Sequence, residues 1–227
     1  MNWLTQSVGD IARELPGATG VFHGYGLDFC CGGKQALARA VERKGVDAEA
    51  LTAELDRLHA QADGARGDWA DADNAELIEH ILTRYHDVHR EQLPELIRLS
   101  QRVELVHGGH PECPSGLASH LEGLLAELEN HMAKEEQILF PMISRGMLGM
   151  AGGPVGMMRH EHDEHAQGLA RIHELTRGIN LPVGACNTWR ALYLGLATFE
   201  VDLMDHIHLE NNILFDRIDG QGAAAHG

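Results

Sequence analysis

Two spacings in this sequence suit metal chemistry. His131 and Glu135 stand four residues apart, as do His206 and Glu210, and residues four apart on a helix share one face. Each pair interrupts an apolar stripe that steps by three and four. The first stripe is Leu117, Leu121, Leu124, Leu128, then Ile138 and Met142; the second is Leu192, Leu196, Phe199, Leu203, then Ile213. A carboxylate aimed into an apolar core costs several kcal/mol or takes up a proton, so two of them facing one core call for a cation. Two further stripes carry histidines: Leu82, His86, His89, Leu93, Leu96 and Met158, His162, His165, Leu169, Ile172. The 16 histidines outnumber Phe, Trp and Tyr together, and a neutral imidazole serves chiefly in proton transfer or metal ligation.

Helices must position these residues. Proline is scarce, at 7 residues, and no stretch alternates β-branched with polar residues, so the fold class expected is all-α. Four long amphipathic segments run over about 75–106, 115–145, 154–177 and 187–218. Gly108-Gly109 and Gly178 serve as stops, Ser115 and Asn187 as N-caps, and Pro154 sits near a helix start. Short connections between four helices imply an antiparallel four-helix bundle. At about 1.5 Å per residue, His86 and His131 stand roughly 24 to 30 Å from the first loop, and His162 and His206 about 22 to 29 Å from the third. Glu135 and His162 both stand roughly 12 to 15 Å from the second loop, so all four helices bring ligands to one level. The same arithmetic places His107, His120 and His173 about 16 to 31 Å off that level and turns His160 away from it.

The remaining set is His86, His131, Glu135, His162, His206 and Glu210. One metal rarely takes six such side chains from four helices, whereas two metals sharing bridging carboxylates use them all. Nitrogen-rich, thiolate-free ligation suits iron, disfavours magnesium and calcium, and leaves manganese and zinc open. His89 and His165 read as walls of the site, either able to replace a nominated ligand. Met132, Met142, Met157 and Met158 read as core filler.

Ahead of the bundle, about residues 1–60 hold short helical patterns broken by Pro16-Gly17, Gly24-Tyr25-Gly26 and Gly32-Gly33. A small helical domain over 1–60, a linker over 61–74 and the bundle over 75–220 are expected. The adjacent Cys30 and Cys31 suit thiolate chemistry better than a mutual disulfide, and they fall in a region separated from the bundle by the linker. Cys113 and Cys186 fall in loops at one end of the bundle and take no role. The net charge of −16 repels phosphate backbones and anionic lipid, so neither nucleic acid nor membrane is an expected partner. The N-terminus lacks the basic and apolar regions of a signal peptide, which makes a cytoplasmic protein the expectation.

With these residues in view, the chain resembles the iron-sulfur cluster repair di-iron proteins, the repair of iron centres family. The resemblance rests on Asp28-Phe29-Cys30-Cys31-Gly32-Gly33-Lys34-Gln35, Arg84-Tyr85-His86-Asp87, His131 through Pro141, Glu161-His162-Asp163-Glu164 and Asp205 through Asn212. It implies a short N-terminal domain bearing the Cys-Cys pair and a hemerythrin-like bundle, with a non-haem di-iron centre held by four histidines and two bridging glutamates. It also implies repair of iron-sulfur clusters damaged by nitric oxide or oxidants, through iron donated with help from Cys30 and Cys31. Partners implied are damaged iron-sulfur proteins and nitric oxide or oxygen as small ligand, with a homodimer left open. Sequence does not separate iron donation from reduction of nitric oxide at the centre, nor from a hemerythrin-like carrier or sensor of nitric oxide or oxygen. One departure is Phe215-Asp216-Arg217, where the family pattern expects proline in the middle; it lies beyond the ligands and bears only on the helix end.

Overall fold

The computed structural model describes residues 2–61, 69 and 72–224, and among these it is helical with no strand; an isolated bridge joins Ser7 to Ala36. Four short helices come first: α1 (Val8–Glu14), α2 (Ala18–Gly24), α3 (Leu37–Lys44) and α4 (Ala48–Gln61). The expected linker falls largely on residues outside those described. Four long rods follow. The first joins α5 (Asn74–Ile81) to α6 (Asp87–His107), the second α7 (Leu117–Lys134) to α8 (Phe140–Ser144), the third is α9 (Gly152–Thr176), and the fourth joins α10 (Asn187–Leu209) to α11 (Phe215–Ala224). Neighbouring rods pack first on second, second on third, and first on fourth, and α11 closes against α9.

Local chemistry sets the rod ends. Asp73 accepts the backbone N–H groups of Ala75 and Glu76, and Glu76 reaches back to the N–H of Asp73, a capping box that starts the first rod. The second rod starts differently from expectation. Gly116, at φ 91°, occupies the cap position and Ser115 makes no cap bond, because that left-handed turn favours glycine. At the fourth rod Cys186 holds the cap position and Asn187 is the first helical residue. The third rod begins two residues before Pro154 and ends in a left-handed Arg177, φ 54°, ahead of Gly178. The unexpected Asp216 does not shorten the fourth rod, since it accepts from Arg159 at 3.0 Å while Arg217 bonds the carbonyls of Ala72 and Trp69.

Three rods contain a π turn where the parts of the rod join: Leu82–His86, Glu135–Leu139 and Glu210–Leu214. A π turn inserts one residue and rotates everything beyond it. This corrects the seam of the second rod. Ile138 is 53% exposed, Met142 is half-buried, and Leu139, Phe140 and Ile143 take the buried places. Met157, expected in the core, is also exposed, whereas Met132 and Met158 are buried.

Apolar residues form two clusters. One unites Val8, Phe22, Phe29, Leu51 and Leu55 of the N-terminal helices with Leu93, Leu128, Leu169 and Leu203 of the rods. The other joins Leu77, Ile81, Leu139, Ile143, Val155, Ile213 and Phe215 at the far end. On every rod the polar residues singled out above lie in the stretch between the two clusters.

Candidate metal centre

Each rod places its polar residues at this boundary, fully buried: His86 and His89, His131 and Glu135, His162 and His165, His206 and Glu210. The π turns bear directly on three of them. His86 ends one turn, and Glu135 and Glu210 begin the other two.

The side chains resolve into two groups that share both carboxylates. His86, Glu135, His206 and Glu210 have ligand atoms within 4.8 Å of one another, as do His131, Glu135, His162 and Glu210. Nε2 of His86 lies 3.2 Å from Nε2 of His206, and Nε2 of His162 lies 3.1 Å from Nε2 of His131. Oε2 of Glu135 stands 3.4 Å from Nε2 of both His86 and His131. Glu210 turns Oε1 to His206 at 3.2 Å and Oε2 to His162 at 3.0 Å. Each glutamate therefore spans both groups.

Oxygen acceptors behind the rings decide which nitrogen faces inward. Nδ1 of His86 meets Glu136 at 2.8 Å, Nδ1 of His131 meets Glu161 at 2.9 Å, and Nδ1 of His162 meets Oδ1 of Asn211 at 2.9 Å. An acceptor at Nδ1 puts the ring proton there and leaves Nε2 bare. Arg90 holds Glu136 at 2.8 Å and Lys134 holds Glu161. Burial, reinforced by His206, lowers His86 to about 4; burial and then His162 hold His131 well below its ordinary value. Neutral His86 and His131 therefore turn bare nitrogens toward the rings of His206 and His162 at near-contact distance.

The carboxylates are in a similar position. Both oxygens of Glu135 are buried without a hydrogen-bond partner. Burial first, then the Glu210 charge, pushes Glu135 well above the usual carboxylate range. Burial alone would raise Glu210 as well, but His206 and His162 beside it hold it well below. Converging bare nitrogens and an unpartnered buried carboxylate are relieved together by cations between them. Aromatic rings wall the site: Tyr85 stacks on His206 at 5.4 Å between centroids, Phe215 on His162 at 5.9 Å, and Phe140 on His86 at 5.9 Å.

The other histidines lie outside both groups. His89 is buried with Nδ1 on Gln92 at 3.2 Å, and His165 sets its ring edge-on to His131 at 4.8 Å between centroids. His107 meets Sγ of Cys186 at 3.2 Å, His120 the carbonyl of Gly168 at 2.8 Å, and His173 Glu200 at 2.7 Å, while His160 is exposed. Cys113 and Cys186 are free and half-buried. Sequence reasoning missed Glu136, Glu161 and Asn211 as anchors. They stand off the core stripe, and their one signal is adjacency, each being the neighbour of a ligand in the chain.

Cys30 and Cys31 are not remote from this site, contrary to the expected separation. Sγ of Cys31 lies 3.4 Å from the carbonyl oxygen of His162. Asn211 and Asn212 donate to the carbonyl of Cys30 at 3.2 and 3.4 Å, and Asn212 also to that of Phe29 at 2.9 Å. Asn211 therefore touches His162 with its oxygen and the Cys30 backbone with its nitrogen. The Cys30 thiol is buried, and its contact with Cys31, then burial, push it well above its ordinary range.

Comparison with known proteins shows which families the chain is similar to. The Hemerythrin HHE cation binding domain matches residues 77–218, and a domain described as of unknown function, DUF542, matches residues 4–59. Similar proteins include the iron-sulfur cluster repair protein YtfE of Pectobacterium carotovorum subsp. carotovorum (strain PC1), that of Pectobacterium atrosepticum and that of Yersinia pseudotuberculosis (strain YPIII). Each is 51% identical over 217 residues, covering 96% of this chain and 98% of the relative.

Proposed function

Because this chain belongs to the iron-sulfur cluster repair proteins built on a hemerythrin HHE domain, we propose that it holds two irons in its bundle and restores damaged clusters by giving up iron. The carrying observation is that Glu135 and Glu210 each belong to both four-residue groups, the arrangement expected of carboxylates bridging two ions. His86 and His206 would serve one iron, His131 and His162 the other. Within this reading residues 1–60 and 75–220 act as two parts of one device, the first presenting Cys30 and Cys31 to the second.

Bound there, iron would supply electrons and a coordination position for a diatomic gas, so nitric oxide binding and its reduction belong to the same reading. The chain's own residues do the rest. Glu136, Glu161 and Asn211 keep the Nδ1 protons and fix the ring orientations. The rings of Tyr85, Phe140 and Phe215 exclude water from the imidazoles. Damaged iron-sulfur proteins are the partners this reading implies.

The test is metal analysis paired with repair. Purified protein should carry about two irons per chain, and Glu135→Ala and Glu210→Ala should lose at least half of that iron while keeping their helical circular dichroism. Wild type should reactivate a nitric-oxide-damaged iron-sulfur enzyme and both variants should fail. Full iron retention in both variants overturns the shared-carboxylate centre. Reversible gas binding without reactivation would instead favour a carrier or sensor.

A further inference from the structure

The loop carrying the two adjacent cysteines holds a donor set that the bundle site does not use. A carboxylate oxygen of Asp28, Sγ of Cys30 and Sγ of Cys31 lie within 4.8 Å of one another. The Asp28 oxygen is 3.5 Å from Sγ of Cys30, and the sulfurs are 3.9 Å apart. With metal–sulfur bonds of about 2.3 Å and metal–oxygen bonds of about 2.1 Å, a tetrahedron has edges of roughly 3.8 Å between sulfurs and roughly 3.6 Å between sulfur and oxygen. The observed spacings match those edges, whereas a disulfide brings sulfurs to about 2.05 Å.

The loop is built to hold this shape. Oδ1 of Asp28 accepts the N–H of Cys31 at 2.9 Å, and Asn211 and Asn212 fix the carbonyl of Cys30. A Cβ on Gly32 would come within 2.8 Å of Oδ2 of Asp28, and one on Gly33 within 2.6 Å of Oδ1 of Asn212, so glycine alone lets the loop pack this closely at both places. The thiols line a cavity of about 400 Å³ shared with Lys34, Arg43 and Arg159. Two thiolates and a carboxylate around a divalent ion leave one net negative charge, which these cations offset. Nε2 of Gln35, another lining residue, is buried without a partner.

We propose that Asp28, Cys30 and Cys31 form a second metal site, taking one thiophilic divalent cation through two thiolates and one carboxylate, with its fourth position facing the cavity. Thiolate donors select ions of the Fe²⁺ and Zn²⁺ kind over magnesium or calcium. On binding, each thiol releases its proton to solvent and no electrons move. Sγ of Cys31 lies against the backbone carbonyl of His162, which places the site beside the bundle centre. Naming Fe²⁺ as the natural cargo rests on the delivery reading above; the site itself does not.

Cobalt(II) is the probe, because thiolate ligation gives a near-ultraviolet charge-transfer absorption that histidine and carboxylate ligation does not. Full-length protein with its bundle iron in place should take up one additional Co²⁺ with that absorption. Cys31→Ser, at a half-buried position where folding is not at stake, should weaken uptake at least tenfold, and Cys30→Ser with Cys31→Ser should abolish it, bundle iron remaining unchanged. Asp28→Asn should weaken it about tenfold. Absence of the absorption in wild type, its persistence in the double variant, or unchanged affinity in Asp28→Asn overturns the assignment. Co²⁺ uptake is read without any iron acceptor. A site that fills while the protein fails to reactivate a damaged enzyme defeats the delivery reading alone, and reactivation by a chain with no thiolate absorption defeats the site alone.

Discussion

His131 and His162 are oriented by residues that stand outside both four-residue groups. Glu161 and Asn211 hold their Nδ1 atoms at 2.9 Å, and removing such an outer partner commonly weakens metal binding by about 10- to 100-fold. Glu161→Ala and Asn211→Ala should therefore each lower iron affinity by that range in chelator competition, with unchanged helicity. Affinity equal to wild type in both would mean the rings are held by packing alone. Asn211→Ala should show a second effect that Glu161→Ala does not, since Asn211 also donates to the carbonyl of Cys30. The Cys30-Cys31 loop should become more open to thiol alkylation. At this scale the six nominated ligands were legible as polar breaks in apolar stripes, whereas their anchors were not, because a polar residue off the stripe looks like any solvated one.

The π turns are what the helices add. Three of them lie at the level of the site, and each begins or ends on a nominated ligand. A regular helix through residues 131–143 would bury Ile138, yet Ile138 is half-exposed and Leu139 is 1% exposed. Leu139→Ala should cost about 2–5 kcal/mol of unfolding free energy, as a buried leucine does, while Ile138→Lys should change it by no more than about 0.5 kcal/mol. Urea titrations of the two variants decide between registers, and the reverse order would restore the regular helix. Spacing by threes and fours located the rods and most of their ends, though the fourth rod runs past 218 to Ala224. It was blind to the inserted residue, because a π turn breaks the very period that the spacing argument assumes.

Across the whole molecule, burying so many imidazoles couples stability to pH. Burial holds His86 at about 4, His165 at about 3 and His208 at about 4, against about 6.5 in an unfolded chain. Below pH 6.5 the unfolded chain takes up protons that the folded one refuses until about pH 4, so stability falls over that interval. Glu135, pushed upward, contributes with the opposite sign. Three imidazoles outweigh it, each giving about 2 kcal/mol of loss at pH 5. Metal-stripped protein should therefore unfold at clearly lower urea concentration at pH 5 than at pH 7. Equal midpoints would mean that the apo interior is hydrated and the rings titrate normally. No helix among the described residues is long and apolar enough to cross a membrane, and the helical N-terminal region shares a core with the bundle.

The amino-acid sequence by itself determined the helical class, the four rods and the six inward-facing residues, because a period of 3.6 residues and a rise per residue are local quantities that fix faces and heights without any knowledge of contacts. Tertiary structure alone decided how those residues group. That Glu135 and Glu210 are common to two sets, that Asn211 stands behind His162, and that Cys31 rests on the backbone of His162 are relations between chain segments 49 to 131 residues apart or on different rods. No local period encodes such pairings. They follow from which apolar faces meet, and the shared core of the N-terminal helices and the bundle brings the cysteine loop to a centre from which the expected linker separates it in sequence.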